Sequence, residues 1–315
     1  MAADISAPQF ANDDEAREFL ESVRWPNGPV CPHCGAEGAW PIKTKARVRH
    51  TKAGDKPSPA RQGLYKCAQY KCGEQFSVTV GTVFERSKIP LTKWLMAAYL
   101  LCSSKKGISA HQLHRTLGVT YKTAWFLAHR IREAMKDDGV GLLGGPGSSG
   151  VVEADETYIG KIKGQGKGPH FGKKQKVVAL LERDGKVRTF HVPSVNVHTI
   201  SEVLNAQVSK QARLMTDAAG FYIKPGKAFK SHESVNHDRK EYVRGDVTTN
   251  TVEGYFGILK RGLGGVYQHV SPEHLHRYLA EFSFRYNHRA STGTNDAQRV
   301  VDTLKGIGGK RLTYR

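Results

Sequence analysis

Two pairs of cysteines constrain this chain more than any other feature of its sequence. Cys31 and Cys34 stand two residues apart in Cys-Pro-His-Cys-Gly, and Cys67 and Cys72 form a second, wider pair. Four thiolates close a tetrahedral zinc site, and such a site stabilises a small domain that has little hydrophobic core. We therefore predict one structural Zn²⁺ on these four cysteines. His33, on the first turn, is the alternative ligand.

The segment between the two cysteine pairs is strongly basic. Residues 40–71 contain nine Lys or Arg and one acid, and the whole chain has 48 Lys and Arg against 29 Asp and Glu, a formal charge of +19. Such a charge attracts polyanions, of which nucleic acid is the most common. A solvated loop is the other interpretation. As phosphate-binding candidates we take Lys43, Lys45, Arg47 and Arg49.

Three helical patterns follow the cysteines, at residues 91–104, 109–117 and 120–135. Gly118 and Thr120 supply a turn and a helix cap between the second and third, which predicts a helix-turn-helix, although any three-helix bundle gives a similar pattern. The recognition helix would begin with Tyr121, Lys122 and Thr123 facing the base edges, and Arg130 would contact phosphate.

The segment 139–150, GVGLLGGPGSSG, is rich in Gly and Ser and predicts a flexible linker. Strand patterns begin after it, with a hairpin signal at Asp184-Gly185, and then alternate with helices. We therefore predict a multi-domain chain with a zinc ribbon and N-terminal helix in residues 1–90 and a helix-turn-helix in 91–138. The linker then leads to an α/β domain in 151–315.

Three acids stand out in the α/β region. Asp155 lies in an apolar strand, Asp217 ends a short strand, and Glu253 lies on an amphipathic helix. A charged side chain in an apolar strand needs a partner. Carboxylates that converge from strands and a helix can hold two Mg²⁺ or Mn²⁺ ions. Two ions of this kind catalyse cleavage of a phosphodiester.

Lys260 follows Glu253 by seven residues, so both project from one helical face, and a cation there can bind the phosphate of the cut strand. A surface helix gives the same pattern. Glu153 and Glu156 are the local competitors of Asp155. If the strand alternates, Glu153 shares the face of Asp155 and Glu156 points away from it.

The N-terminus has no basic and apolar signal-peptide pattern, and the longest apolar run, residues 94–102, is too short to cross a bilayer. We therefore expect a cytoplasmic, nucleoid-associated protein without a membrane partner. In a reducing compartment, cysteines bind metal more often than they form disulfides.

Several motifs together resemble a known family. CPHCG, QFSVTVGTVFERSKIPLTKW, VEADETYIG, LMTDAAG, TNTVEGYFGILKRG, GVYQHVSPEHLHRYLAEFSFRYNHR and GKRLTYR are similar to the bacterial insertion-sequence transposases with a zinc ribbon and a ribonuclease H-like (integrase-type) DDE domain. The resemblance covers the chain from about residue 15 to its end. It implies that the metal-binding acids are Asp155, Asp217 and Glu253, with Lys260 as the accompanying basic residue. The second cysteine pair departs from the family's usual spacing.

The resemblance implies a DNA transposase that binds the inverted-repeat ends of its element, cuts them and joins the 3′-hydroxyls to target DNA. Pairing two ends implies a dimer or a larger homo-oligomer. Three alternatives stay open at this point: a transcription regulator that leaves DNA intact, a repair or recombination nuclease that cuts without joining, and an inactive relic of an element.

Overall fold

The computed structural model describes residues 5–51, 54–58, 60–137, 139–160 and 174–313, with backbone alone for parts of 47–58. The chain forms two compact units. The first combines the residues up to Ser103 with Ala110–Ala134 and the residues from Asp296 onward; the second comprises Ser104–Ser109 and Met135–Asn295. The sequence-based boundaries at residues 90, 138 and 150 divide the chain by function and stay predictions.

The first unit contains the predicted N-terminal helix as α1 (Asp13–Arg24). The Asn12 side chain caps it by accepting a hydrogen bond from the Asp14 amide at 2.8 Å. Short antiparallel strands follow in two groups: β1, β4 and β5 form one sheet, and β2 and β3 form a hairpin. Their bounds are β1 (Ala39–Pro41), β2 (Arg47–Thr51), β3 (Gly54–Ser58), β4 (Tyr65–Cys67) and β5 (Gln75–Phe76).

Three helices then follow where the apolar spacing predicts them. They are α2 (Leu91–Ser103), α3 (Ala110–Leu117) and α4 (Tyr121–Ala134). Gly118 separates α3 from α4 with a φ of 58°, a left-handed conformation that suits glycine. Apolar residues at helical spacing are buried on each helix, so packing and pattern agree.

The second unit contains a mixed sheet, as the order of strand and helix patterns predicts. In sheet order its five described strands are β10-β9-β6-β7-β8, with β6, β9 and β10 parallel and β7 antiparallel to both its neighbours. The bounds are β6 (Val151–Ile159), β7 (Gln175–Glu182), β8 (Val187–Val192), β9 (Arg213–Asp217) and β10 (Ser231–Val235).

Helices cover both faces of this sheet. The remaining α-helices and strands described in the unit are α5 (Val197–Gln207), α6 (Gly220–Gly226), the two-residue strands β11 (Val243–Arg244) and β12 (Val247–Thr248), α7 (Asn250–Gly262) and α8 (Pro272–Asn287). One apolar cluster packs α5 and α6 against the sheet, and a second packs α7 and α8 against the opposite face. The predicted hairpin is confirmed, with Asp184 in a left-handed turn at φ 57° between β7 and β8.

The Gly- and Ser-rich segment 139–150 packs within the second unit, although its composition predicts a flexible linker. Leu143 is buried in the α5–α6 cluster, and its backbone bonds to Gln207 and Ser209. Gly144 donates its amide to Glu182 at 2.8 Å. The apolar Leu143 among the glycines gives this segment an anchor that overall composition conceals.

Helix α9 (Asp296–Lys305) belongs to the first unit, although the sequence assigns the chain's end to the catalytic domain. Arg299 donates to the backbone oxygen of Cys102 at 2.7 Å, and Leu304 and Ile307 are buried. No helix in the described ranges is long and apolar enough to cross a membrane.

Candidate metal centre and nucleic-acid interface

The carboxylates of Asp155 and Asp217 meet at the carboxyl end of the parallel strand β9. Strand β6 pairs with β9 only as far as Glu153 and Met215, and then continues beside the end of β9. The next residues of β6 therefore lie next to Asp217, the last residue of β9. The Asp217 side chain accepts a hydrogen bond from the Ala219 amide at 3.1 Å, which fixes its direction.

Glu156 joins this pair, although simple strand alternation directs it away. Carboxylate oxygens of Asp155, Glu156 and Asp217 all lie within 4.8 Å of one another. The hydroxyl of the buried Tyr222 donates to Glu156 at 3.0 Å and holds the long side chain in place. Alternation fails as a guide here because neighbouring side chains both reach the gap beyond the end of β9. A tyrosine after a strand-end Asp is too general a signal to predict this contact.

The three acids have raised pKa values because burial disfavours their charged forms. Burial, followed by the charge of Glu156, raises the pKa of Asp155 to about 8. Burial and the charge of Asp217 raise the pKa of Glu156 to about 7, and burial also raises the pKa of Asp217. Among the described residues, no Lys or Arg forms an ion pair with any of the three. Three closely spaced carboxyl groups without a Lys or Arg partner fit a hard divalent cation, whose charge would favour their ionised forms.

Glu253 lies beside this cluster on the first turn of α7. Its charge contributes to the raised pKa values of both Asp155 and Asp217. One carboxylate oxygen accepts a hydrogen bond from the Thr249 hydroxyl at 2.8 Å and lies 3.5 Å from Nε2 of His237. Sequence reasoning gave His237 no role at the metal centre, because its position 20 residues after Asp217 and 16 residues before Glu253 carries no signal of this proximity.

Lys260 is exposed on α7, two turns beyond Glu253. Seven residues of helix separate their backbones by about 10 Å along the axis. The lysine therefore lies on the predicted face of α7, further along the helix than Glu253.

Glu153 occupies a different place from its neighbours. Its side chain is fully buried and forms an ion pair with Arg183 at 2.8 Å. It also accepts hydrogen bonds from the backbone of Thr251 and Val252 in α7. Its oxygens are therefore occupied by donors, which makes it unsuitable as a metal ligand.

The four predicted zinc cysteines converge. Their sulfur atoms lie within 4.8 Å of one another, with Cys31 3.8 Å from Cys72 and Cys34 3.6 Å from Cys67. A tetrahedral zinc with Zn–S bonds of about 2.3 Å requires sulfur–sulfur distances of about 3.8 Å, so the site fits the ion. His33 is exposed and stands outside this group.

The wider second cysteine pair is accommodated by its turn. The amides of Cys72 and Gly73 both bond to the Gln69 carbonyl at 3.0 Å, and Gly73 has a φ of 59°. Gly35, after the first pair, has a φ of 74° and bonds to the Cys31 carbonyl at 2.8 Å. Two similar turns thus present both pairs despite their unequal spacing.

The predicted DNA-contact residues differ in where they lie. Tyr121 and Lys122 are exposed at the start of α4, and Thr123 is half-buried, its amide bonding to the capping Thr120 hydroxyl at 3.2 Å. Lys43 and Lys45 are exposed between β1 and β2. Arg47 and Arg49 lie on β2, and their side chains lie outside the described atoms.

Arg130 lies elsewhere than a phosphate contact requires. Its side chain is buried and donates to the Glu85 carbonyl at 2.8 Å, and its guanidinium lies 5.2 Å from the Trp94 ring centre. The helical pattern alone does not distinguish such an arginine from an exposed one, because an arginine stem packs well on an inner face.

Two protein-family models match separate parts of the chain. Residues 148–287 match the ISXO2-like transposase domain, and residues 11–75 match the transposase zinc-ribbon domain. The first range contains Asp155, Glu156, Asp217, Glu253 and Lys260, and the second contains the four clustered cysteines.

A protein of the transposable element ISH50 from Halobacterium salinarum is 28% identical over 318 residues, which span 93% of this chain and 97% of that protein. Two solved structures, the pre-cleavage Mos1 transpososome and the Mos1 mariner paired end complex with Mn, are 11% and 12% identical to this chain. Each match covers 59% of this chain and 75% of the other, with a TM-score of 0.21.

Proposed function

Because the chain belongs to the insertion-sequence transposases that carry a zinc ribbon and an ISXO2-like transposase domain, we propose that it cuts and joins DNA. Its substrates would be the inverted-repeat ends of its own element and a target DNA. The observation that carries the proposal is the convergence of Asp155 and Asp217, inside the matched transposase domain, with Glu253 beside them. The five-stranded mixed sheet, covered by helices on both faces, supports a ribonuclease H-like fold for this domain.

Asp155, Asp217 and Glu253 would hold two Mg²⁺ or Mn²⁺ ions, and Glu156 is placed to contribute a further oxygen. When bound, such ions activate a water or 3′-hydroxyl and stabilise the leaving oxygen of the phosphodiester. The chain's own contribution is position. The Ala219 amide directs Asp217, and the Thr249 hydroxyl directs Glu253.

Lys260 would bind a phosphate of the strand being cut. Lys260 is exposed and lies on the same helical face as Glu253, two turns further along α7. A lysine in this position keeps the strand in register with the metal site without competing for the cations.

The four cysteines would hold one structural Zn²⁺ that stabilises the small sheet of β1, β4 and β5. The basic segment between β1 and β4 contains the exposed Lys43 and Lys45 together with Arg47 and Arg49, and we propose these four residues as a phosphate-binding surface. Helices α3 and α4 would act as a helix-turn-helix, with Tyr121, Lys122 and Thr123 towards the DNA. Arg130 is left out because it is buried. In the DNA complex we expect a dimer or a larger homo-oligomer.

The decisive experiment uses purified protein with DNA that carries the ends of the element and a target plasmid. In Mg²⁺ or Mn²⁺ we expect strand cleavage and joining. Asp155→Asn, Asp217→Asn and Glu253→Gln should each lower the rate by about 10³-fold, since each removes a carboxylate that would hold the cations that stabilise the transition state. Binding of the same DNA should stay near that of the unaltered protein.

The matched control is Glu202→Gln, which neutralises an exposed acid on α5 of the same unit. It should cut and join normally. A transcription regulator would bind DNA without cleavage, and a repair nuclease would cleave without joining. Strand joining that survives in Asp155→Asn would remove that residue from the site.

A further inference from the structure

Glu153 connects the two elements that carry the candidate metal ligands. One oxygen accepts hydrogen bonds from Arg183 at 2.8 Å and from the Thr251 hydroxyl at 3.0 Å. The other accepts from the Thr251 and Val252 amides, both at 3.0 Å. The side chain is fully buried, so one carboxylate on β6 is held entirely by donors, three of which come from the first turn of α7.

Arg183 extends this connection to the chain that leads into α7. Its guanidinium also donates to the carbonyls of Asp246 at 2.7 Å and Thr248 at 3.2 Å, and its own amide donates to the Val151 carbonyl at 3.1 Å. The arginine therefore ties the start of β6, the β7–β8 turn and the segment before α7 together.

These contacts involve residues that lie next to the candidate metal ligands in the sequence. Glu153 lies two residues before Asp155 on β6, and Val252 lies one residue before Glu253 on α7. The first-turn amides of α7 carry the positive end of the helix dipole, which a buried carboxylate complements. A buried ion pair contributes little net stability compared with apolar packing of the same volume, but it specifies one geometry.

We propose that Glu153, together with Arg183, is the positioning residue that sets the distance between Asp155 and Glu253 and so sets the affinity of the site for divalent cations. The inference rests on the proposed function, because it requires these acids to bind metal. Glu153 itself contacts neither the metal nor DNA. It acts by fixing the start of α7 against β6.

The test measures Mn²⁺ binding by calorimetry on the full zinc-loaded chain without DNA. Glu153→Gln keeps the size of the side chain but replaces two acceptor sites with a donor. Loss of such an outer hydrogen-bonding partner weakens metal binding by about 10–100-fold, and we expect a rise in the Mn²⁺ dissociation constant of at least about 10-fold. Asp155→Asn, which removes a ligand, should bind Mn²⁺ more weakly still.

Glu281→Gln is the matched control. Glu281 is equally buried in the same unit and pairs with Arg285 on α8, so its loss destabilises the unit without touching the link from β6 to α7. Its Mn²⁺ affinity should stay within about 2-fold of the unaltered protein. An equal loss of affinity in Glu281→Gln and Glu153→Gln overturns the proposal, as does unchanged affinity in Glu153→Gln.

If Glu153→Gln does not fold, Arg183→Lys gives a second test. A lysine keeps the charge but lacks the planar fork that reaches Glu153 and two carbonyls together. We expect weaker Mn²⁺ binding here too, and unchanged affinity in folded Arg183→Lys rejects the proposal. If the unaltered protein binds no Mn²⁺, the proposed function fails, whereas a failure confined to the Glu153 and Arg183 variants leaves it standing.

Discussion

At the scale of single residues, the surroundings of Asp155 decide its charge. Because Asp155 lies in an apolar strand, the sequence predicts that its carboxylate has a partner. The structure places this carboxylate beside those of Glu156 and Asp217. A sequence pattern can single out Asp155, because a charge among apolar residues is unusual. It cannot place Glu156, since that depends on where β9 ends and on the Tyr222 hydroxyl.

The raised pKa of Asp155 predicts how stability without divalent cations varies with pH. Its pKa rises from an ordinary 3.8 to about 8 in the folded chain, so the folded state holds a proton that the unfolded state has released. The free energy of unfolding therefore falls as pH rises from about 4 to about 8, by at most about 1.4 kcal/mol per pH unit for this one group. Asp155→Asn should remove this fall and raise the melting temperature at pH 8 more than at pH 5.

Thermal unfolding of zinc-loaded protein at both pH values, with and without Mg²⁺, measures this effect. Mg²⁺ should stabilise the unaltered protein at pH 8 and leave Asp155→Asn nearly unchanged. Asp246→Asn is the control, because hydrogen bonds from Arg213 lower the pKa of that exposed acid. A gain in stability at pH 8 in Asp246→Asn equal to that in Asp155→Asn would contradict the interpretation.

At the scale of elements, the helices and the hairpin were predictable because their apolar spacing and turn residues are local signals. The bounds of α2 agree with the expected span, and the N-terminal helix and the β7–β8 hairpin form where the sequence predicts them. The edge strand β10, Ser-His-Glu-Ser-Val, was not predictable, because its polar residues give no strand pattern and its place depends on pairing with β9. The burial of Leu143 within the segment 139–150 was not predictable for a related reason, since it depends on pairing with Val208.

Gly144 tests whether that segment is packed. It has a φ of 70°, and a Cβ there would lie 2.5 Å from Cβ of Ala212 and 3.0 Å from Val152. Gly144→Ala should lower the free energy of unfolding by about 2–4 kcal/mol through overpacking and the left-handed backbone. Gly147→Ala, at φ 85° with nothing within 4 Å, should cost only the backbone term of about 1–2 kcal/mol. Equal effects of the two variants in denaturant unfolding would show that the close contact with Ala212 is absent.

The zinc ribbon is the element whose stability we expect to depend on a metal. Cys34→Ser should reduce the zinc content from about one per chain to near zero and unfold the sheet of β1, β4 and β5, because so small a sheet has little core. Mass spectrometry of the metal and proteolysis of residues 31–76 measure both effects. Cys102→Ser is the control: it alters a buried cysteine on α2 that contacts Thr303, and should keep the zinc. A folded, zinc-free Cys34→Ser protein would refute the structural role.

At the scale of the whole molecule, the order of the elements along the chain does not match their division into the two compact units. The α/β pattern and the cysteines predicted two kinds of domain, but no local signal shows that the last helix, α9, packs with the first unit. Such a return depends on which apolar faces meet after folding. Cys102 and Val83 meet residues about 200 positions later in the chain, at Thr303 and Ile307.

Leu304→Ala tests this return of the chain. Leu304 is fully buried, and its truncation leaves a cavity that costs about 2–5 kcal/mol. Because the cavity lies in the first unit, amide hydrogen exchange should accelerate in α2, while β6 and β7 of the second unit keep their protection. Leu204→Ala, a truncation of equal burial on α5, should give the opposite pattern. If Leu304→Ala accelerated exchange in β6 and β7 and left α2 protected, α9 would belong to the catalytic domain, as its place in the sequence indicates.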